Sequence, residues 1–69
     1  MRSREVARRM EKMGGTWTQG RGSHRMYRIR DCKTELAMHG AEIPDGTLRS
    51  IEKAMEPCFG KGWLRKGHS

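Results

Sequence analysis

At 69 residues the chain is one small domain, and a domain of this size buries only about 60% of the surface its unfolded chain exposes. With 33% hydrophobic and 6% aromatic residues it lacks the large apolar groups to wall a closed pocket for a small organic substrate, so a functional site is expected at the surface. The net charge is +7, all of it in residues 1–30, where nine Lys/Arg face only Glu5 and Glu11; the rest of the chain balances, and this asymmetry selects a polyanionic partner, nucleic acid first.

Taken in chain order, "SREVARRMEKMGG" reads as a helix, with Val6, Met10 and Met13 at i, i+4, i+7, Ser3 as N-cap and Gly14 as stop. Arg4, Arg8 and Lys12 fall on its other side as a basic ridge, a secondary set of candidate RNA contacts. "TWTQ" then reads as a short strand, "GRGS" as a turn and "HRMYRIR" as a second strand. Alternation puts Tyr27 and Ile29 on one face of that strand and His24, Met26, Arg28 and Arg30 on the other. "DCK" is expected to turn the chain into a weaker third strand, "TELAM", in which Leu36 and Met38 share a side. "HGAEIPDG" is a loop, and "TLRSIEKAM" a second helix capped by Asp45 or Thr47, with Leu48, Ile51 and Met55 as its apolar stripe and Pro57 as its end. Residues 1–56 form the expected domain, and 57–69 an irregular extension. Two amphipathic helices and a three-stranded antiparallel meander need each other's apolar faces, which predicts an α+β fold with both helices on one side of the sheet.

No apolar run approaches the length of a membrane span, and "MRSREVARRM" lacks the apolar segment of a secretory signal. The expectation is a cytoplasmic protein without membrane contact, with Cys32 and Cys58 as reduced thiols. Those two cysteines, His39 and His68 show none of the paired spacings of zinc modules, so neither a metal nor another cofactor is expected.

The chemistry concentrates in "GRGSHRMYRIR". Gly20 and Gly22 permit a tight turn that leaves His24 exposed and fixed, and an imidazole can take or give a proton near neutral pH. Arg21 and Arg25 flank it, Arg28 and Arg30 share its strand face, and Lys33 follows in the next turn, as candidate RNA-binding cations. RNA carries its own nucleophile in the 2'-hydroxyl, so one proton-transfer group and several cations can cleave it. From residue types alone a histidine in a basic strand is more simply a binding or surface residue, because the spacing identifies no second acid or base. His39, beyond the third strand, and His68, in the tail, are weaker candidates. A non-catalytic RNA-binding module and a basic protein docking an acidic partner stand beside the enzyme reading.

The segments "EKMGGTW", "RGSHRMY" and "DGTLRSIEKAM", in this order across residues 3–55, resemble the HicA-type mRNA interferase toxins of toxin–antitoxin pairs. The resemblance implies a fold similar to double-stranded RNA-binding domains, with helix-strand-strand-strand-helix order. It also implies endoribonuclease activity on mRNA, a catalytic histidine at His24, an active-site turn at Gly22 and Ser23, and a HicB-type antitoxin that covers the active surface.

Overall fold

A computed structural model describes residues 1–38, 40 and 42–66, the last two by backbone alone; His39 and His68, candidates from the sequence, lie outside the described residues. The order is α1 (Ser3–Lys12), β1 (Thr16–Gln19), β2 (His24–Ile29), β3 (Cys32–Ala37), α2 (Asp45–Phe59) and a short α3 (Trp63–Lys66). The three strands form an antiparallel meander in the order β1-β2-β3. Both long helices lie on one face, as the two apolar stripes require: Val6, Ala7 and Met10 of α1 and Ile51 and Met55 of α2 close over Tyr27, Cys32 and Leu36 of the sheet. The α+β arrangement expected from the sequence is the one observed.

Helix α1 starts one residue differently from its sequence reading. Arg2 occupies the N-cap, its backbone N–H donating to the Glu5 carboxylate at 2.9 Å, and Ser3 is the first helical residue. The hydroxyl of Ser3 turns inward and donates to the Ala37 carbonyl, tying α1 to the end of β3. Met13, read as part of the apolar stripe, is 39% exposed because the helix has already ended at Lys12.

Tyr27 is fully buried at the centre of the sheet, and its hydroxyl is bonded on both sides. It donates to Glu11 of α1 at 2.6 Å and accepts from the Arg25 guanidinium at 3.0 Å. Burial, and then the hydrogen bond to Glu11, push its pKa above the usual 10.0. The folded state therefore keeps the phenol neutral where the unfolded chain would ionise it. The stability this confers is complete below about pH 10 and is lost as the pH rises above that value. Urea denaturation at pH 7 and pH 10.5 checks this: Tyr27→Phe is expected to cost about 1 kcal/mol at pH 7 for the lost hydrogen bonds. The same variant should lose less stability than the wild type between the two pH values. Equal losses would refute the assignment.

Four sequence expectations change from the β2–β3 turn onward. Cys32 and Lys33 are not a turn but the first residues of β3; the chain reverses at Arg30 and Asp31, between the paired Ile29 and Cys32. Pro57 does not stop α2, which continues to Phe59 and ends at Gly60, whose φ of +99° suits glycine. The last turn survives the missing N–H of Pro57 because it is tied to the sheet. Cys58 is disulfide-bonded to Cys32, its carbonyl accepts from Arg30 at 2.7 Å, and Gly60 N–H closes on the Glu56 carbonyl at 2.8 Å. The two cysteines, expected as thiols, are thus a cross-link between the start of β3 and the end of α2. Within residues 57–69, expected to be irregular, Trp63 and Leu64 are buried in the same core: the Trp63 indole N–H donates to the Glu52 carbonyl at 2.9 Å, and Arg9 donates to the Leu64 carbonyl at 3.2 Å.

Candidate nucleic-acid interface

Residues directly opposite in neighbouring strands share a face, so the register sorts every side chain of the sheet. Trp17–Tyr27–Thr34, Gln19–Arg25–Leu36 and Ile29–Cys32 point to the helices. Thr16–Arg28–Lys33, Thr18–Met26–Glu35 and His24–Ala37 form the face the helices leave open. That face carries the histidine at one end and two cations, Arg28 and Lys33, at the other; both cations are exposed.

The loop Gly20–Ser23 holds His24 at the very start of β2. Gly20 donates to the His24 carbonyl at 2.9 Å, and a Cβ on Gly20 would lie 3.1 Å from that same oxygen, so only a glycine fits without displacing the histidine backbone. Gly22 sits at φ +54°, in the left-handed region, and its carbonyl accepts from the Gln19 side chain at 2.8 Å. The Ser23 carbonyl accepts from Met38 N–H at 2.7 Å, which extends the β2–β3 pairing past His24. Gly22 and Ser23 thus serve the turn through their backbones.

The His24 side chain is 40% exposed, and its Nδ1 lies 2.8 Å from Oε2 of Glu35 on the adjacent strand. Glu35 was not singled out from the sequence. Its signal was nevertheless there: if Leu36 faces the helices, strand alternation turns Glu35 to the other side, where His24 is.

The cations divide into separate places. Arg28 and Lys33 are a cross-strand pair on His24's face, ~13 Å from His24 along the strand at about 3.3 Å per residue, so they suit neighbouring phosphates and not the one beside the imidazole. Arg21 is exposed in the glycine loop. Arg30, expected on His24's face, is in the β2–β3 turn with φ +50°, its guanidinium bonded to the Cys58 carbonyl; strand alternation ends before it. Arg25 is on the helix side, with its guanidinium carbon 3.8 Å from the centre of the Trp17 ring and Nη1 3.7 Å from Glu11. There it lines a cleft with Arg4, Arg8, Glu11 and Met38, which joins part of the helix ridge to the end of the sheet where His24 stands. Lys12 lies farther along α1, exposed, beside Arg9 and Met13.

A small α+β protein with a histidine–carboxylate pair on an open, basic sheet face is the class these observations define. Residues 3–56 match the family described as "HicA toxin of bacterial toxin-antitoxin", and the chain belongs to that family. Comparisons with curated proteins and with solved structures give no match. Membership makes the chain the toxin of a toxin–antitoxin pair, with an antitoxin as its partner. Among the described residues no helix is long and apolar enough to cross a membrane.

Proposed function

We propose that the chain is an endoribonuclease that cleaves mRNA and arrests growth, with His24 as the group that moves the proton. The observation that carries this reading is the seat of His24: half-exposed, anchored by a glycine loop, at the end of the sheet face opposite the helices in a HicA-family chain. In the reaction the RNA 2'-hydroxyl loses its proton and attacks the adjacent phosphorus, the bond to the 5'-oxygen breaks, and that oxygen takes a proton. The products are a 2',3'-cyclic phosphate and a 5'-hydroxyl. Because RNA supplies the nucleophile, the demand on the protein is proton transfer and neutralisation of charge on the phosphorane. Arg21, exposed in the loop that precedes His24, is the candidate for that charge, with Arg28 and Lys33 holding the flanking strand. The open face is also the surface an antitoxin of the HicB type would have to cover, and the cytoplasm is where its substrate is found.

End-group analysis of RNA digested by the purified chain tests the reading. A 2',3'-cyclic phosphate or its hydrolysis product, formed equally well in EDTA, is the expected result. A 3'-hydroxyl end, or activity lost to chelator while the protein stays folded, would overturn it.

The two cation sets are separated by salt titration of single-stranded RNA binding in a His24→Ala background, where cleavage does not interfere. Each phosphate contact contributes about −0.7 to the log–log salt slope. Arg28→Ala and Lys33→Ala are each expected to weaken binding and flatten the slope by about that amount, whereas Arg30→Ala, whose guanidinium is held by Cys58, should change the slope little. If Arg4→Ala and Arg8→Ala flatten the slope and Arg28→Ala and Lys33→Ala do not, the RNA runs along α1 and not across the sheet.

A further inference from the structure

Glu35 is out of place on a surface that attracts phosphate. It is the carboxylate in the row between His24 and the Arg28–Lys33 pair, and its charge opposes the binding those cations favour. As an exposed ion pair it would contribute only about 0–1 kcal/mol to stability, a small return for weaker RNA binding. As an independent acid or base it would have to stand across the scissile phosphate from the imidazole, yet it is hydrogen-bonded directly to Nδ1 at 2.8 Å. The remaining role acts through the histidine. We propose that Glu35 is the positioning residue for His24: its carboxylate holds the Nδ1–H, so that proton exchange with RNA takes place at Nε2.

This rests on the assignment of His24 as the proton-transfer group. An ionised carboxylate accepts hydrogen bonds and cannot donate them, so the contact at Oε2 requires the proton to be on Nδ1. In the neutral ring that makes Nε2 the basic nitrogen; in the charged ring it makes Nε2–H the acid. One nitrogen thereby serves both directions of transfer. The Nδ1 proton remains on Nδ1 throughout, and Glu35 neither gains nor loses a proton, as for the carboxylate of a Ser-His-Asp triad. The bond also restrains the ring plane of this half-exposed side chain, by fixing the direction of Nδ1.

The test combines nitrogen NMR of labelled histidine with kinetics on Glu35→Leu and on Glu35→Thr, a second strand-compatible residue in case the first variant folds poorly. The neutral His24 ring is expected as the Nδ1–H tautomer in the wild type, with Nε2–H gaining population in both variants. In cleavage, kcat is expected to fall on the order of 10²-fold, with KM unchanged or lower because a negative charge has left the RNA-facing surface. The same substitutions in a His24→Ala background should change the residual rate less than about twofold, because a residue that acts only through the imidazole has nothing left to position. An Nε2–H ring in the wild type, an unchanged kcat, or an equal loss in the His24→Ala background would each overturn the proposal. Full activity of His24→Ala would instead remove the functional reading beneath it, while the tautomer measurement would still decide whether Glu35 holds Nδ1–H.

Discussion

His24→Ala is expected to lower RNA cleavage by about 10²–10⁴-fold, the range that a positioned proton-transfer group supplies, and to abolish growth arrest when the chain is expressed without its antitoxin. The substitution should spare the fold. The side chain is 40% exposed and the Glu35 carboxylate it leaves behind is 52% exposed, so water replaces the lost hydrogen bond. Changes at such positions shift stability by no more than about 0.5 kcal/mol. The backbone of His24 does structural work that alanine retains, since its N–H donates to Arg21 and its carbonyl accepts from Gly20. A melting curve like that of the wild type, together with RNA affinity within a few-fold of wild type, would assign the loss to chemistry. A variant that folds and still degrades RNA at the wild-type rate removes His24 from the mechanism and returns the surface to a binding role.

What was legible in the sequence follows the period of its side chains. Val6 and Met10 at helical spacing, Tyr27 on the helix side and His24, Met26 and Arg28 on the other, and Ile51 with Met55 on the second helix all stand where their alternation places them. Local pattern failed where a contact distant in sequence decides the outcome. Pro57 reads as a helix stop, yet α2 continues to Phe59, and Arg30 and Cys32, both distant in sequence, hold Cys58 in that last turn. Trp63 and Leu64 stand in a glycine-rich tail that carries no period, yet Glu52 and Arg9, from two different helices, receive them. Arg30 departs from the alternation of its neighbours because the hairpin turns one residue earlier than "DCK" suggests. Glu35 was hidden for a different reason: its alternation was readable, but its pairing with His24 depends on the β2–β3 register, which the turn at Arg30–Asp31 sets.

The second large effect is expected from reduction of the Cys32–Cys58 disulfide. The bond spans 26 residues of chain, and closing a loop of that length restricts the unfolded state by about 3.5 kcal/mol. A chain of this size is held by only about 3–10 kcal/mol in total, so reduction removes a third or more of its stability. At about 4–8 °C per kcal/mol for a domain this small, the melting temperature should fall by on the order of 15–25 °C. Thermal unfolding with and without a phosphine reductant measures this, with thiol titration of the untreated protein establishing its starting state. Equal melting curves, or two free thiols in protein purified without reductant, would overturn the expectation. The active surface should be spared below the lower melting point. The cross-link ties α2 to the Ile29–Cys32 end of the β2–β3 pair, whereas His24 pairs with Ala37 at the other end and is held there by the glycine loop and the Ser23–Met38 hydrogen bond. Cleavage assayed well below the melting point of the reduced protein should therefore proceed at the oxidised rate. Under reducing conditions the chain would then keep its sheet face while its stability margin narrows, which makes binding to the antitoxin a larger share of what keeps it folded.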